Sequence, residues 1–246
     1  MNLVIDIGNT TAKIAVFDGE ELTEIHYGSN RSLACLPTLA GSFPIKRGIL
    51  SSVVTITEEM RSQIAASGIP MMWLTPETSL PVANLYQTPQ TLGPDRLAAV
   101  VAANYMQPGK NCLVIDAGTC ITYDFIDAAG NYRGGNISPG MQMRLKALNE
   151  FTDKLPLVAH EGDCPLWGVS TETAIRAGVR QGIGLEIEGY IRREKEKDPH
   201  LLVFLTGGDG FSLAGPIKET IFADKMLVLK GLNRILNYNI INDTLS

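Results

Sequence analysis

The chain alternates between short apolar runs and longer amphipathic segments. One apolar run ends in Asp-x-Gly at residues 3–8 (LVIDIG), and a similar run follows at 113–118 (LVIDAG), with five identities in six positions at an offset of 110 residues. Each is followed by a second β-like run, Ala12–Phe17 or Ile121–Ile126, and then by a glycine-containing turn signal. Each copy is therefore predicted to open with a β-hairpin.

Segments with helical signals follow the hairpins. Thr57–Ala66 opens with a threonine and two glutamates, and Asp95–Met106 follows Gly93-Pro94, with proline at the first helical position. In the second half, Met141–Asn149 and Thr171–Lys197 are predicted to be helices, and the apolar run Leu201–Leu205 is predicted to be a buried strand.

The spacing of the repeat indicates two similar domains. An offset of 110 residues is far longer than the period of any solenoid repeat, and the turn-forming sequence Gln107-Pro108-Gly109 lies just before the second copy. We predict an α/β protein with an N-terminal domain of residues 1–108 and a C-terminal domain of residues 109–246.

Composition narrows the function classes. The 246 residues are 45% hydrophobic and 19% charged, which is typical of a globular protein, and the net charge of −5 without a dense basic stripe argues against nucleic acid as a partner. The cysteines and histidines lack zinc-site spacing. Because Asp6 interrupts the first apolar run, we expect no signal peptide or membrane span, and a cytoplasmic protein with reduced cysteines.

The Asp-x-Gly tips carry groups suited to phosphate. Glycine lets the backbone turn and approach a ligand, and Asn9–Lys13 adds an amide, hydroxyls and a cation. The P-loop pattern GxxxxGK[ST] is absent. A third glycine-rich element, Leu205–Gly210, follows the apolar strand and would allow a flat ring such as adenine to lie on the backbone. An ordinary capped hairpin turn and a plain loop remain alternatives for these elements.

Several such signals occur in order along nearly the whole chain. They are Asp6-Ile7-Gly8-Asn9-Thr10 with Lys13, Gly93-Pro94-Asp95-Arg96, Asp116-Ala117-Gly118-Thr119, residues 134–140 (GGNISPG), Thr171 ahead of Ala174-Ile175, and Thr206-Gly207-Gly208-Asp209. With this ordered set the chain resembles the type III pantothenate kinases, within the superfamily of acetate and sugar kinases, Hsp70 and actin.

The resemblance implies a fold and a reaction. The fold is a pair of duplicated ribonuclease-H-like (actin-like ATPase) domains with a nucleotide cleft between them. The reaction is ATP-dependent phosphorylation of the primary hydroxyl of pantothenate to 4′-phosphopantothenate, the first step towards coenzyme A. Such a transferase would use ATP, Mg²⁺ and a monovalent cation, K⁺ or NH₄⁺, and would act as a homodimer whose sites are completed at the subunit interface.

The resemblance also implies roles for individual residues. Asp116 would hold the monovalent cation, Asp6 would contact Mg²⁺ through water, and Asp95 would accept the proton of the attacking hydroxyl. Contacts to ATP would come from Asp6, Ile7, Gly8, Asn9, Thr10, Thr11, Ala12, Lys13 and Thr119, with Gly207 and Gly208 near the adenosine. Contacts to pantothenate would come from Tyr86, Gly93, Pro94, Asp95, Arg96 and Thr171.

Simpler interpretations exist for some of these residues. Asp95 is also a favourable charge in the first turn of a helix, Tyr86 a half-buried aromatic, and Thr171 an N-cap. For the whole chain, the alternatives are another small-alcohol or sugar kinase of the same superfamily, or a non-catalytic regulator of the Bvg accessory factor type. The Asp-x-Gly tips indicate phosphate binding but do not identify the molecule that accepts the phosphoryl group.

Overall fold

The computed structural model describes residues 1–208 and 220–245, with side chains as far as residue 241. It divides into two compact units. The first contains Met1–Pro108, the short segment Ala129–Arg133 and the C-terminal segment that begins at Met226, and the second contains Gly109–Ala128 and the chain from Gly134 to Lys225. The C-terminal segment thus groups with the first unit. The division into duplicated domains of residues 1–108 and 109–246 stays a prediction.

The elements of the first unit begin with a three-stranded meander. They are β1 (Asn2–Ile7), β2 (Thr11–Asp18), β3 (Glu21–Ser29), α1 (Leu36–Ser42), β4 (Arg47–Ser52), α2 (Glu58–Ala66), β5 (Met71–Trp73), β6 (Ala83–Asn84), a 3₁₀ turn (Pro89–Thr91) and α3 (Pro94–Met106). Next along the chain are β7 (Cys112–Ala117), β8 (Cys120–Ile126), β9 (Asn131–Pro139), α4 (Met141–Glu150), α5 (Thr171–Lys195), β10 (Leu202–Thr206) and β11 (Phe222–Ala223), and then α6 (Leu227–Leu245), which belongs to the first unit.

The two sheets have the same connectivity. The first has the order β3-β2-β1-β4-β5 and the second β9-β8-β7-β10-β11, so strands of equal rank in the two copies occupy equal places. In each, a hairpin pairs antiparallel, and the central strand pairs parallel with the strand on its other side. The short strand β6 pairs with the start of β9, at residues that belong to the first unit. This shared topology confirms the duplication predicted from the repeated motif.

Helices cover both faces of the first sheet. Leu3, Ile5 and Ile7 of β1 are fully buried against residues of α1 and α2. On the opposite face, Asn2 donates hydrogen bonds to Asn233 and Asn237 of α6, both at 2.8 Å. A strand buried on both faces has a continuous apolar sequence, which is why β1 was recognisable from sequence.

Helices α4 and α5 cover one face of the second sheet. Leu113, Ile115 and Ala117 of β7 pack in one cluster with Leu145 of α4 and with the apolar stripe of α5. Odd-numbered residues of β7 therefore face these helices, and alternation along a strand places Asp116 on the opposite face.

The predicted elements occur with small shifts at their ends. Helix α2 begins one residue later than predicted because Thr57 is its N-cap and accepts a hydrogen bond from the Met60 amide at 3.2 Å. The N-cap of α5 is Ser170, so the N-cap interpretation of Thr171 is wrong and Thr171 is the first helical residue. The predicted strand at 201–205 lies at Leu202–Thr206. Within the described residues, no helix is both long enough and apolar enough to span a membrane.

Candidate active site

The tip of the first hairpin is a compact turn. Gly8–Thr10 joins β1 to β2, and the Gly8 amide donates to the Thr11 carbonyl at 3.0 Å. Asn30, at the end of β3, donates its side-chain amide to the Asn9 carbonyl at 2.5 Å and to the Gly8 carbonyl at 3.4 Å. Asn30 therefore fixes the tip of the predicted phosphate loop. No motif pointed to Asn30, because it is brought to the tip by the pairing of β3 with β2.

Asp6 is a buried carboxylate next to a cation. It is 7% exposed, and it is paired in register with Lys13 on β2 and with Ser51 on β4. Burial raises the pKa of Asp6 to about 6, although Lys13 and the Ser51 hydroxyl oppose the rise. The negative charge of Asp95 contributes to the raised pKa of Asp6. The predicted general base and the predicted phosphate loop thus share one electrostatic environment in the first unit.

The predicted base lies at the start of α3. Gly93 is the N-cap, Pro94 the first helical residue, and Asp95 follows in the first turn, where the helix dipole favours an anion. Asp95 Oδ1 accepts a hydrogen bond from the Arg96 amide at 2.8 Å. A Cβ atom at residue 93 would lie 2.5 Å from the same oxygen, so glycine leaves the space that the Asp95 carboxylate occupies. The interpretation of Asp95 as a helix-terminal charge is compatible with a chemical role.

Arg96, which follows Asp95 at the start of α3, lies against Tyr86. Arg96 is only 6% exposed, and its guanidinium carbon lies 5.6 Å from the centroid of the Tyr86 ring. Tyr86 stacks in turn on Tyr132, with ring centroids 6.1 Å apart. A buried guanidinium held by an aromatic face is suited to bind a carboxylate. The first unit thus brings together the predicted pantothenate contacts at residues 86 and 93–96.

The second unit carries its own Asp-x-Gly loop. The Gly118 amide donates to the Cys120 carbonyl at 2.9 Å, and the Thr119 side chain is exposed. Gly207 has φ +92° and lies so close to this loop that a Cβ atom there would overlap the Ala117 carbonyl and approach Asp116 Oδ1. Only glycine fits this position. Asp209 and Gly210, which complete the glycine-rich element, lie outside the described residues.

A buried hydroxyl accompanies the aspartate in both units. Asp6 is paired in register with Ser51, and Asp116 is paired with Thr206 at the equivalent place of the second sheet. Both hydroxyl residues are fully buried. In the part of the chain that the structure describes, no group hydrogen-bonds to Thr206 Oγ1. The sequence analysis missed Ser51 and named Thr206 only as part of the glycine-rich motif at 206–209. The place of each beside an aspartate could be found by aligning the strand that pairs parallel with the Asp-x-Gly strand.

Thr171 lies in the second unit, apart in sequence from the other predicted pantothenate contacts. It is exposed and lines a groove of about 910 Å³ between α4 and α5. The groove is mainly apolar, lined by Leu148, Phe151, Leu155, Ile175 and Val179 among others, and Arg144 is its charged member.

The raised pKa of Asp6 predicts how this residue affects stability. The folded protein holds the Asp6 proton more tightly than the unfolded chain does, so the contribution of Asp6 to the free energy of unfolding falls as the pH rises from about 4 through about 6. The shift of roughly 2 pKa units corresponds to about 3 kcal/mol lost by pH 7.5. We expect the stability of Asp6→Asn relative to wild type to increase by up to this amount between pH 4 and pH 7.5.

Urea denaturation of the ligand-free protein at the two pH values measures this difference. Asp18→Asn, at an exposed position on β2, is the matched control for the loss of one carboxylate. A relative stability of Asp6→Asn that stays constant across this pH range would show that the buried carboxylate is not destabilising.

Comparison with known proteins places this chain in a family. The family model described as type III pantothenate kinase matches residues 2–193. A type III pantothenate kinase of Phocaeicola vulgatus is 61% identical over 239 residues, which cover 97% of this chain and 99% of the relative.

Solved structures agree on the fold. A Campylobacter jejuni protein described as a conserved candidate Baf family transcriptional activator is 25% identical, with a TM-score of 0.62 over 96% of this chain and 98% of that one. A Listeria monocytogenes protein described as a candidate N-acetylmannosamine kinase has a TM-score of 0.55 at 13% identity, over 97% of this chain and 99% of that one, and shows the fold alone. The predicted fold class, a duplicated ribonuclease-H-like α/β fold of the actin-like ATPases, is confirmed. Because the family match spans most of the chain and the similarity to the Phocaeicola enzyme spans nearly all of it, the chain belongs to the type III pantothenate kinase family.

Proposed function

We propose that this protein transfers the γ-phosphoryl group of ATP to the primary hydroxyl of pantothenate, giving 4′-phosphopantothenate and ADP, the first step of coenzyme A biosynthesis. The observation that carries the proposal is the convergence in the first unit of Asp95, the Arg96–Tyr86 pair and the phosphate-loop aspartate, Asp6. Family membership supports the same reaction.

The acceptor is recognised by the chemistry of residues 86–96. Pantothenate carries a carboxylate at one end and a primary hydroxyl at the other. Arg96, buried and held against the Tyr86 ring, offers a planar fork for the carboxylate. Asp95, one residue earlier on the same helix turn, then receives the proton of the hydroxyl. A sugar has no carboxylate for this fork to bind, whereas pantothenate has one, so the guanidinium favours pantothenate as the acceptor.

In the transfer step the pantothenate hydroxyl oxygen forms a bond to the γ-phosphorus, and the bond between that phosphorus and the β–γ bridging oxygen breaks. The electron pair of that bond leaves with ADP. The hydroxyl proton passes to the Asp95 carboxylate late in the step, because the transition state is loose and the alcohol is a weak acid. Lys13 and the polar groups of the tip at 8–11 hold the phosphates and offset their charge.

The donor atoms of the site fit the proposed ions. When bound, Mg²⁺ neutralises phosphate oxygens, and the Asp6 carboxylate is an oxygen ligand of the kind that can hold it through water. A monovalent cation fits beside Asp116, because the fully buried Thr206 hydroxyl on the neighbouring strand, without a hydrogen-bond partner in the described part of the chain, offers a further oxygen. The four free thiols agree with the cytoplasm as the place of the reaction.

The regulatory alternative receives some support from the Campylobacter likeness, whose description names a transcriptional activator. The acidic character of this chain, with a pI near 5.3, opposes DNA binding. A helix-terminal charge alone would account for Asp95, but a regulator would not need Asp95 together with the Arg96–Tyr86 pair and the buried Asp6. We therefore favour the kinase.

The reaction is tested by release of ADP in the presence of ATP, Mg²⁺ and K⁺, with and without pantothenate. We expect turnover that requires pantothenate, and we expect Asp95→Asn to lower kcat by about 10²- to 10⁴-fold with little change in the KM for ATP, because the proton acceptor is lost while the phosphate loop is intact. Gly93→Ala should also lower kcat, since its methyl group displaces the carboxylate without removing it.

Two results would count against this assignment. An Asp95→Asn variant with wild-type kcat would exclude Asp95 as the base. Wild-type protein that binds ATP and is indifferent to pantothenate would keep the nucleotide site and change the acceptor, and a screen of other small alcohols would follow.

The monovalent cation makes a separate prediction. Replacing potassium chloride by sodium chloride at equal ionic strength should lower kcat/KM for ATP by about tenfold or more, since a set of oxygen ligands that suits K⁺ in size and number does not suit the smaller Na⁺. Asp116→Asn should have low activity in both salts. The measurement uses the Tris salt of ATP so that no other alkali cation is present. Equal rates in potassium and sodium would remove the cation from the proposal.

We also propose that the protein is a homodimer that associates through the groove between α4 and α5. Large apolar side chains are exposed there and in the loop that follows α4: Phe151 is 81% exposed and Val169 is 94% exposed. An exposed apolar surface of this kind is typical of an interface between subunits. A second copy seated on it would cover Thr171, the predicted pantothenate contact at the edge of the groove.

Light scattering coupled to size-exclusion chromatography tests the dimer. Wild type is expected at twice the mass of one chain, and Phe151→Arg at the mass of one chain, because the arginine places a charge in the apolar interface. Tyr27→Arg, at another exposed aromatic position on β3, is the matched control and should leave the dimer intact. A monomeric wild type, or a Phe151→Arg variant that stays dimeric, would contradict the proposed interface.

A further inference from the structure

A cluster of polar side chains in the second unit has no place in the reaction described above. Glu186 of α5 accepts three hydrogen bonds, from the Tyr123 hydroxyl at 2.8 Å, the Ser138 hydroxyl at 2.6 Å and the Arg144 guanidinium at 2.6 Å. Burial alone would raise the pKa of Glu186, but the hydrogen bonds from Ser138, Arg144 and Tyr123 lower it overall. Glu186 is therefore held as an anion by donors on three other elements.

Arg144 extends the cluster to the backbone before α4. Its Nε donates to the Pro139 carbonyl at 2.7 Å, and one of its terminal nitrogens donates to the Ser138 hydroxyl at 2.6 Å. The ion pair of Arg144 with Glu186 is about three-quarters buried on each side. A fork that binds a carboxylate and a backbone carbonyl together fixes the direction of the segment 138–140.

The segment that Arg144 fixes lies against the predicted phosphate loop. The Gly140 amide donates to the Thr119 carbonyl at 3.1 Å. A Cβ atom at residue 140 would overlap the carbonyls of both Gly118 and Thr119, so the two backbones are in direct contact. Any shift of Gly140 must therefore move the loop that carries Thr119.

We propose that Glu186 and Arg144 are positioning residues for ATP, because they hold Pro139 and Gly140 against Gly118 and Thr119 and so set the place of the second phosphate loop. The proposal rests on the proposed function for the identity of the nucleotide. It gives a role to the sequence GGNISPG at residues 134–140, whose last three residues link the cluster to the loop.

A purely structural ion pair would stabilise the packing of α4 on α5 without affecting the affinity for the nucleotide. Two substitutions separate these roles. Glu186→Gln keeps an acceptor for the Tyr123 and Ser138 hydroxyls and removes the charge that orients Arg144. Arg144→Lys keeps a cation near Glu186, but a single ammonium group lacks the rigid fork that also holds the Pro139 carbonyl.

The experiment is calorimetric titration of the full-length wild type and of each variant with a non-hydrolysable ATP analogue in the presence of Mg²⁺. Steady-state kinetics and melting temperatures are measured for the same proteins. We expect both variants to bind the analogue about tenfold more weakly than wild type and to have a correspondingly higher KM for ATP, because the loop is displaced from its productive place. The KM for pantothenate should change much less.

Glu188→Gln is the matched control, two residues along the same helix. Among the described residues, Glu188 makes no hydrogen bond or ion pair, so its variant should bind the analogue like wild type. Arg144→Lys and Glu186→Gln variants that melt at lower temperature but bind the analogue with wild-type affinity would overturn the proposal and leave a structural cluster only.

The titration also separates this proposal from the proposed function. Wild-type protein that binds the analogue without phosphorylating pantothenate would contradict the proposed reaction, while the comparison of affinities among the variants would still decide the role of Glu186. Wild-type protein that fails to bind the analogue would overturn both.

Discussion

The removal of water from a carboxylate at the end of a central strand is the constraint on which the first unit depends. Asp6 ends a strand that is buried on both faces, and an isolated charge there would be costly. The residues around it reduce the cost in different ways: Lys13 supplies an opposite charge and Ser51 a hydroxyl. Asp95 at the start of α3 adds a second negative charge, and the neighbouring Arg96 adds a second cation. The charges of the site therefore depend on one another, and a charged ligand that binds there changes the balance for all of them.

The second unit has the same strand order as the first, but its aspartate has different neighbours. Asp116 occupies the place of Asp6, but it is partly exposed, and its partner on the hairpin is Thr122 where the first unit has Lys13. One copy thus carries a cation of its own, Lys13, and the other has a neutral hydroxyl residue there, which agrees with the proposal that Asp116 holds a cation from solution. The two copies also differ in how their loops are supported. The side-chain amide of Asn30 contacts the loop in the first copy, and in the second the charged cluster around Glu186 acts through Gly140.

The sequence predicts those elements of the fold and of the site whose pattern lies within a few consecutive residues. The two hairpins follow from apolar runs that end in Asp-x-Gly, and α3 follows from Pro94 at its first position. The short strands β5, β6 and β11, of two or three residues each, are too short to carry a periodicity. The roles of Asn30, Thr206 and Glu186 depend on which strands and helices become neighbours, and no local pattern records that. The assignment of α6 to the first unit has the same cause, since Asn233 finds Asn2 more than two hundred residues away.

The position of α6 has a consequence for synthesis of the chain. The first unit begins at the N-terminus, but one face of its sheet is completed by a helix that leaves the ribosome after the whole second unit. At roughly 5–20 residues per second, the first unit waits on the order of ten seconds for that helix. During this interval the surface of α3 around Ala98, which Gly231 later touches, is uncovered. The last strand of the second unit, β11, is made before α6, so the unit that begins at the N-terminal side is the last to receive all of its elements.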